Sequence, residues 1–135
     1  MKIEIPGKPI AKKRPRFARR GKFVVTYNDQ ETEEGKWILF ASQQITEKIL
    51  RPKGILLQCA FYMPIPKSMT NKQKTLIEAH GLSHTKKPDL DNLVKFVKDC
   101  LNGLAWEDDS QVVYLMAEKL YDKDPRTAVV IEPWH

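Results

Sequence analysis

Lys87-Pro88-Asp89-Leu90-Asp91-Asn92-Leu93-Val94-Lys95-Phe96-Val97-Lys98-Asp99-Cys100-Leu101-Asn102-Gly103 is the stretch on which the fold turns. Leu90, Leu93, Val94, Val97 and Leu101 recur at three- and four-residue steps, so they share one face of a helix running from Asp89 to Asn102. Pro88 precedes the first turn and Gly103 stands where a left-handed C-terminal cap belongs. An amphipathic helix of this kind needs an apolar surface to lie on, and the flanking sequence supplies strands.

Downstream, 112–121 and 126–132 read as strands joined through 122–125, which predicts a hairpin. Upstream, Ile55 to Tyr62 is an apolar run of strand length that stops at Pro64 and Pro66. Thr70 and Gln73 have the spacing of a capping box for a short helix over 71–80. Trp37, Ile38, Ala41, Ile45 and Ile49 predict a helix from a cap at Asn28 or Asp29 to about Leu50, closed by Pro52 and Gly54. Met1 to Ile5 alternates as a short strand, and Phe23 to Tyr27 reads as extended. The element order predicts a small α+β fold, a mixed β-sheet packed with two to three helices.

The chain has 135 residues, which suits a single domain over 1–135, with ordinary globular fractions of apolar (41%) and charged (30%) residues. No apolar run reaches the length of a membrane span and no signal-peptide pattern opens the chain, so a cytoplasmic location is expected. Cys59 and Cys100 read as reduced core thiols. Trp37 and Trp106 read as core, and His80, His84 and His135 lack metal-ligand spacing.

The formal net charge is +6, and it is concentrated. Segment 6–22, expected as a basic loop because Pro15 and Gly21 break it, holds Lys8, Lys12, Lys13, Arg14, Arg16, Arg19, Arg20 and Lys22 with no acid. The rest of the chain is close to neutral, so this segment points to a polyanionic partner. Phe17 within it reads equally as a base-stacking and as a packing residue.

Two groups of acids stand out, Asp89 with Asp91 and Glu107-Asp108-Asp109, each at the boundary of an element. Two readings stand. Carboxylates at a helix start serve as caps and favour the dipole, Asp91 and Lys95 have the spacing of a surface ion pair, and an acidic turn is commonly just solvated. Carboxylates are also the hard ligands Mg²⁺ needs for phosphodiester hydrolysis, with a nearby lysine such as Lys95 at the phosphate.

At these positions the sequence resembles the RusA-type Holliday-junction resolvases, chiefly phage- and prophage-encoded endodeoxyribonucleases. The resemblance rests on Asp89-Leu90-Asp91-Asn92-Leu93 with Lys95, on Asp108-Asp109-Ser110-Gln111-Val112-Val113, and on Lys13-Arg14-Pro15-Arg16. It extends through Met63-Pro64-Ile65-Pro66-Lys67 and from Lys119 to Pro125-Arg126. It implies that Asp89, Asp91 and Asp109 hold Mg²⁺, or Mn²⁺ in its place, and that Lys95 joins them in catalysis. It further implies a homodimer that nicks four-way DNA junctions in symmetric pairs during recombination and repair, with no organic cofactor and no membrane partner. Beside this, Lys12, Lys13, Arg14, Arg16, Arg19 and Arg20 are the expected contacts to the DNA backbone. Water is the expected nucleophile, since no Ser, Cys or His has a partner to activate it. The alternatives are a nuclease for flaps or forks and a non-catalytic nucleic-acid-binding module.

Overall fold

In a computed structural model, residues 1–13, 16–21, 23–27 and 30–135 are described, with the backbone alone for 16–20 and 23–27. The elements are β1 (Lys2–Pro6), β2 (Arg16–Arg20), β3 (Phe23–Tyr27), α1 (Glu31–Ser42), β4 (Ile55–Met63), α2 (Asn71–Glu78), α3 (Leu90–Leu101), β5 (Val112–Tyr121) and β6 (Arg126–Pro133). A 3₁₀ turn, Asp109–Gln111, leads into β5.

Four strands form a mixed sheet in the order β1-β6-β4-β5, in which β4 runs parallel to β5 and antiparallel to β6. Strands β2 and β3 make a separate two-stranded ribbon. In that ribbon Arg20 pairs with Phe23, and Gly21 takes a φ of +63°, which glycine adopts without steric cost. Within the 6–22 segment, then, 16–20 is strand. The cap expected at Asn28 or Asp29 lies outside the described residues.

The sheet is an α+β scaffold with its core on one face. Every second residue of β4 is buried, from Ile55 through Leu57, Cys59 and Phe61 to Met63, as the two-residue strand period requires. Helix α3 lays Leu93, Phe96, Val97 and Leu101 into the same core. Helix α1 adds Trp37 and Ala41, and the Trp37 ring meets Phe96 edge-on at 6.2 Å. Cys59 and Cys100 are both free and buried. Among the described residues no helix is long and apolar enough to cross a membrane.

Two expectations are corrected. Strands β5 and β6 do not form a hairpin, because β4 lies between them and hydrogen-bonds to both. The four-residue connection steps across the end of β4, where the Asp122 N–H bonds the Met63 carbonyl at 2.9 Å. Two strand spacings are only about 10 Å, within reach of four residues. The other correction concerns α1, which ends at Ser42 and not near Leu50. Gln44 turns its amide to the β1 edge, accepting from Glu4 N and donating to Glu4 O, both at 2.8 Å. Further on, Ile49 bonds to Ala105 and bridges to Trp106. These tertiary bonds outweigh the helical periodicity of Ile45 and Ile49.

The 71–80 and 89–102 helices form as expected. Thr70 and Gln73 close a reciprocal capping box on α2, at 3.0 and 3.1 Å. Gly103 follows α3 with a φ of +81°.

Candidate active site and nucleic-acid interface

Helix α3 places Asp91 in its first turn and Lys95 one turn later, so both side chains leave the same face. Both are exposed, and no ion pair joins them among the described residues. Asp89 occupies the N-cap position, yet its side chain makes no capping hydrogen bond. The helix-cap reading therefore does not account for that carboxylate, which is exposed at the helix entrance.

The second acidic group is built differently. Gln111, 6% exposed, accepts from the N–H groups of Glu107 and Asp108 through Oε1, while its Nε2 donates to the carbonyls of Ile49 and Lys53. One buried amide thus fastens the 107–111 turn to the loop before β4. Asp108 caps that turn, accepting from Ser110 N at 2.9 Å. The bonds from Ser110 and, further down, the charge of Arg51 hold its carboxyl below the ordinary value. Asp109 is held otherwise: the Nε1–H of fully buried Trp106 donates to its Oδ1 at 2.9 Å. Arg51 stands outside, 3.5 Å from Glu107 and 4.0 Å from Asp108.

These elements meet at a cleft of about 630 Å³ lined by Asp91, Lys95, Lys98 and Asp99 of α3, Asp109 of the turn, and Leu115 and Ala117 of β5. Three of the four sequence-selected catalytic positions, Asp91, Lys95 and Asp109, line it; Asp89 lies outside the lining. Among the described residues no cluster of three or more His, Cys, Asp or Glu groups is drawn together tightly enough to cage a metal. Asp99 also lines the cleft but is paired with Lys12, which leaves Asp91 and Asp109 as its two carboxylates without an ion pair among the described residues, one oxygen of Asp109 being already oriented by Trp106. That donor set fits Mg²⁺, which is commonly held by one or two carboxylates plus water and substrate phosphate.

The fold also carries the start of the basic segment to this helix. Lys12 N donates to Asn92 O at 2.9 Å, joining the segment to the first turn of α3. Gln30, fully buried at the entry to α1, accepts from Lys13 N at 2.6 Å and donates to Ala11 O at 2.7 Å. The Lys12 ammonium is engaged internally, 2.9 Å from Glu34 and 3.2 Å from Asp99, and the Glu34 hydrogen bond chiefly raises its pKa. Lys13 is exposed. Arg14 lies outside the described residues, as do the side chains of Arg16, Arg19, Arg20 and Phe17.

Sequence reasoning missed two supports. Lys119 of β5 donates from Nζ to the carbonyls of Lys86 and Pro88, at 2.6 and 2.7 Å, tying the strand to the loop that delivers Asp89. Trp106 was expected only as core, although its position three residues before Asp109 put both in one tight turn.

Residues 6–132 match the family Endodeoxyribonuclease RusA. The chain is similar to "Uncharacterized protein YqaN" of Bacillus subtilis (strain 168), 39% identical over 97% of this chain and 94% of that protein. A 48-residue stretch is 44% identical to "Crossover junction endodeoxyribonuclease rusA" of Lactococcus phage r1t, covering 35% of this chain and 37% of the phage protein. With nearly its whole length matched, this chain belongs to the RusA family of endodeoxyribonucleases.

Proposed function

We propose that this protein is a Mg²⁺-dependent nuclease that resolves four-way DNA junctions as a homodimer, serving recombination and repair of phage or prophage type. The observation that carries the proposal is the cleft itself: three carboxylates and two lysines, from α3 and the separate 107–111 turn, line it, and the basic segment is bonded to the first turn of the same helix. The junction as substrate draws on the family and on the name of the phage relative.

In this reading Asp91 and Asp109 hold the ion and Asp89 joins them from the helix entrance. A bound Mg²⁺ supplies charge neutralisation at the phosphoryl oxygens and lowers the pKa of coordinated water; Mn²⁺ serves in its place. The protein's own groups do the rest. Trp106 fixes the Asp109 carboxylate, and Lys119 fixes the backbone that leads to Asp89. Lys95, exposed one turn beyond Asp91, contacts the scissile phosphate and stabilises its developing charge. Lys13, Arg14, Arg16, Arg19 and Arg20 hold the DNA backbone without reading sequence, while Lys12 braces the segment against α1 and α3. Edge strand β5 exposes Val113, Tyr114, Leu115 and Met116 in succession, an apolar surface available to a second copy.

The test is a synthetic four-way junction incubated with and without Mg²⁺, with a flap and a fork alongside. Paired nicks across the junction, dependent on the ion, are expected. Preferential cutting of the flap or fork would favour a looser structure-specific nuclease, and an absence of Mg²⁺ binding together with an absence of scission would leave a nucleic-acid-binding module.

A further inference from the structure

The connection from β4 to α3 carries a second concentration of positive charge. Between residues 67 and 87 stand Lys67, Lys72, Lys74, Lys86 and Lys87, against one acid, Glu78. All five lysines are exposed, and none has an ion-pair partner within 4 Å among the described residues. Lys12 and Arg126, by contrast, are both paired.

The surface has a shape as well as a charge. Lys67 and Lys74 line a cleft of about 790 Å³ at the end of β4 and β5, and Lys123 of the β5–β6 connection lines it too. Tyr62, Ile77 and Tyr121 are among its apolar and aromatic lining. The cleft has two acids, and one of them, Asp122, is neutralised by Arg126. Strand β5 runs between the two clefts, with Leu115 and Ala117 lining the acidic one and Leu120 to Lys123 lining this one. At about 3.3 Å per residue the two surfaces are separated by roughly 10–20 Å along the strand, less than the width of two DNA duplexes laid side by side. The Lys119 bonds to the Lys86 and Pro88 carbonyls fasten the basic loop to β5 just before α3 begins.

We propose that this face, with Lys67, Lys74 and Lys123 at its centre, is a second contact surface for the phosphate backbone of a DNA duplex. It takes a duplex arm adjoining the strand held in the acidic cleft, and it is independent of the basic segment 6–22. The assignment rests on the DNA-directed reading above. A row of unpaired ammonium groups in an open groove neutralises backbone phosphates and releases their counterions, whatever the base sequence.

The test replaces Lys67, Lys74 and Lys123 together by Gln in the full chain. The control replaces Lys2, Lys36 and Lys48, exposed lysines that line neither cleft, for the same change in net charge. Binding to a 30-base-pair duplex and to a four-way junction is measured in EDTA over a range of KCl. The cleft variant is expected to bind about tenfold more weakly, with the slope of log K against log salt reduced by about 2 to 3. The control should stay within about twofold, and Lys67→Arg/Lys74→Arg/Lys123→Arg should restore binding. A cleft variant indistinguishable from the control, or an Arg triple that fails to restore affinity, overturns the proposal. Wild-type protein that binds DNA with this lysine dependence yet never cuts it would sink the nuclease reading while supporting this surface.

Discussion

The Trp106–Asp109 hydrogen bond offers a sharp probe, because it separates holding a carboxylate in place from merely filling the core. Trp106→Phe keeps an aromatic ring at a fully buried position but removes the Nε1–H that donates to Asp109 Oδ1 at 2.9 Å. A hydrogen bond to a charged group contributes about 1.5–3 kcal/mol, and the lower end applies here because the half-buried Asp109 can take water instead. The smaller ring leaves a void of about 40 Å³, which at about 24 cal/mol per Å³ costs about 1 kcal/mol more. The sum, about 2–3 kcal/mol, lies below the usual 5–15 kcal/mol of a domain, so the variant folds with a Tm lower by roughly 6–12 °C. If Asp109 holds the ion, loss of its orienting bond should also weaken Mn²⁺ binding or cleavage by about 10–100-fold. Titration calorimetry with Mn²⁺ and junction cleavage at a temperature well below both Tm values measure this. A variant that melts earlier but binds Mn²⁺ and cuts as the wild type does would refute the reasoning, leaving the hydrogen bond a matter of stability alone.

Three further predictions follow the same pattern. Lys119→Met keeps the aliphatic stem but removes both bonds to the loop before Asp89, so cleavage should fall about tenfold while duplex binding in EDTA changes little; a parallel loss of both would point to a general folding defect. Burial pushes the thiols of Cys59 and Cys100 up to about 12, so native protein at pH 8 should react with a thiol reagent far more slowly than unfolded protein, and rapid labelling would contradict their burial. The Arg126 hydrogen bond holds Asp122 below its ordinary value of 3.8, so its stabilisation is present above that pH and lost as pH falls through the lower folded value. Wild type and Asp122→Asn should therefore differ in Tm at pH 7 and draw together as the pH falls, whereas a gap that does not change with pH would exclude this linkage.

Much of the scaffold could be read before its structure. The three- and four-residue recurrence of Leu90, Leu93, Val97 and Leu101 is a local signal, and so is the Thr70/Gln73 capping box; both helices follow. What local pattern cannot carry is which strands become neighbours. The apolar faces of 112–121 and 126–132 are compatible with a hairpin, but β4 is buried at alternate positions and is hydrogen-bonded on both edges, so it separates them. Ile45 and Ile49 likewise continue a helical period that distant bonds to Glu4 and Ala105 interrupt.

The candidate site was legible as residue types and not as geometry. Asp91, Lys95 and Asp109 do line one cleft, and Asp108 is distinguished from Asp109 by its capping role. No sequence rule announces that Lys119, set in the middle of a strand, reaches the carbonyls of Lys86 and Pro88. The clamp by Gln30 on residues 11–13 is equally silent, since that side chain makes no capping bond to α1 and turns to a segment many residues earlier.

The central claim is that the carboxylates of this cleft cut DNA, and Asp91→Asn tests it most directly. Asp91 is exposed and the substitution is nearly isosteric, so the cost in helix-dipole energy is about 0.3–1 kcal/mol and the fold survives. Binding and cleavage of a synthetic four-way junction are measured side by side with Mg²⁺ present. The account predicts junction affinity within a few fold of wild type and no cleavage; undiminished cleavage by the variant would contradict it.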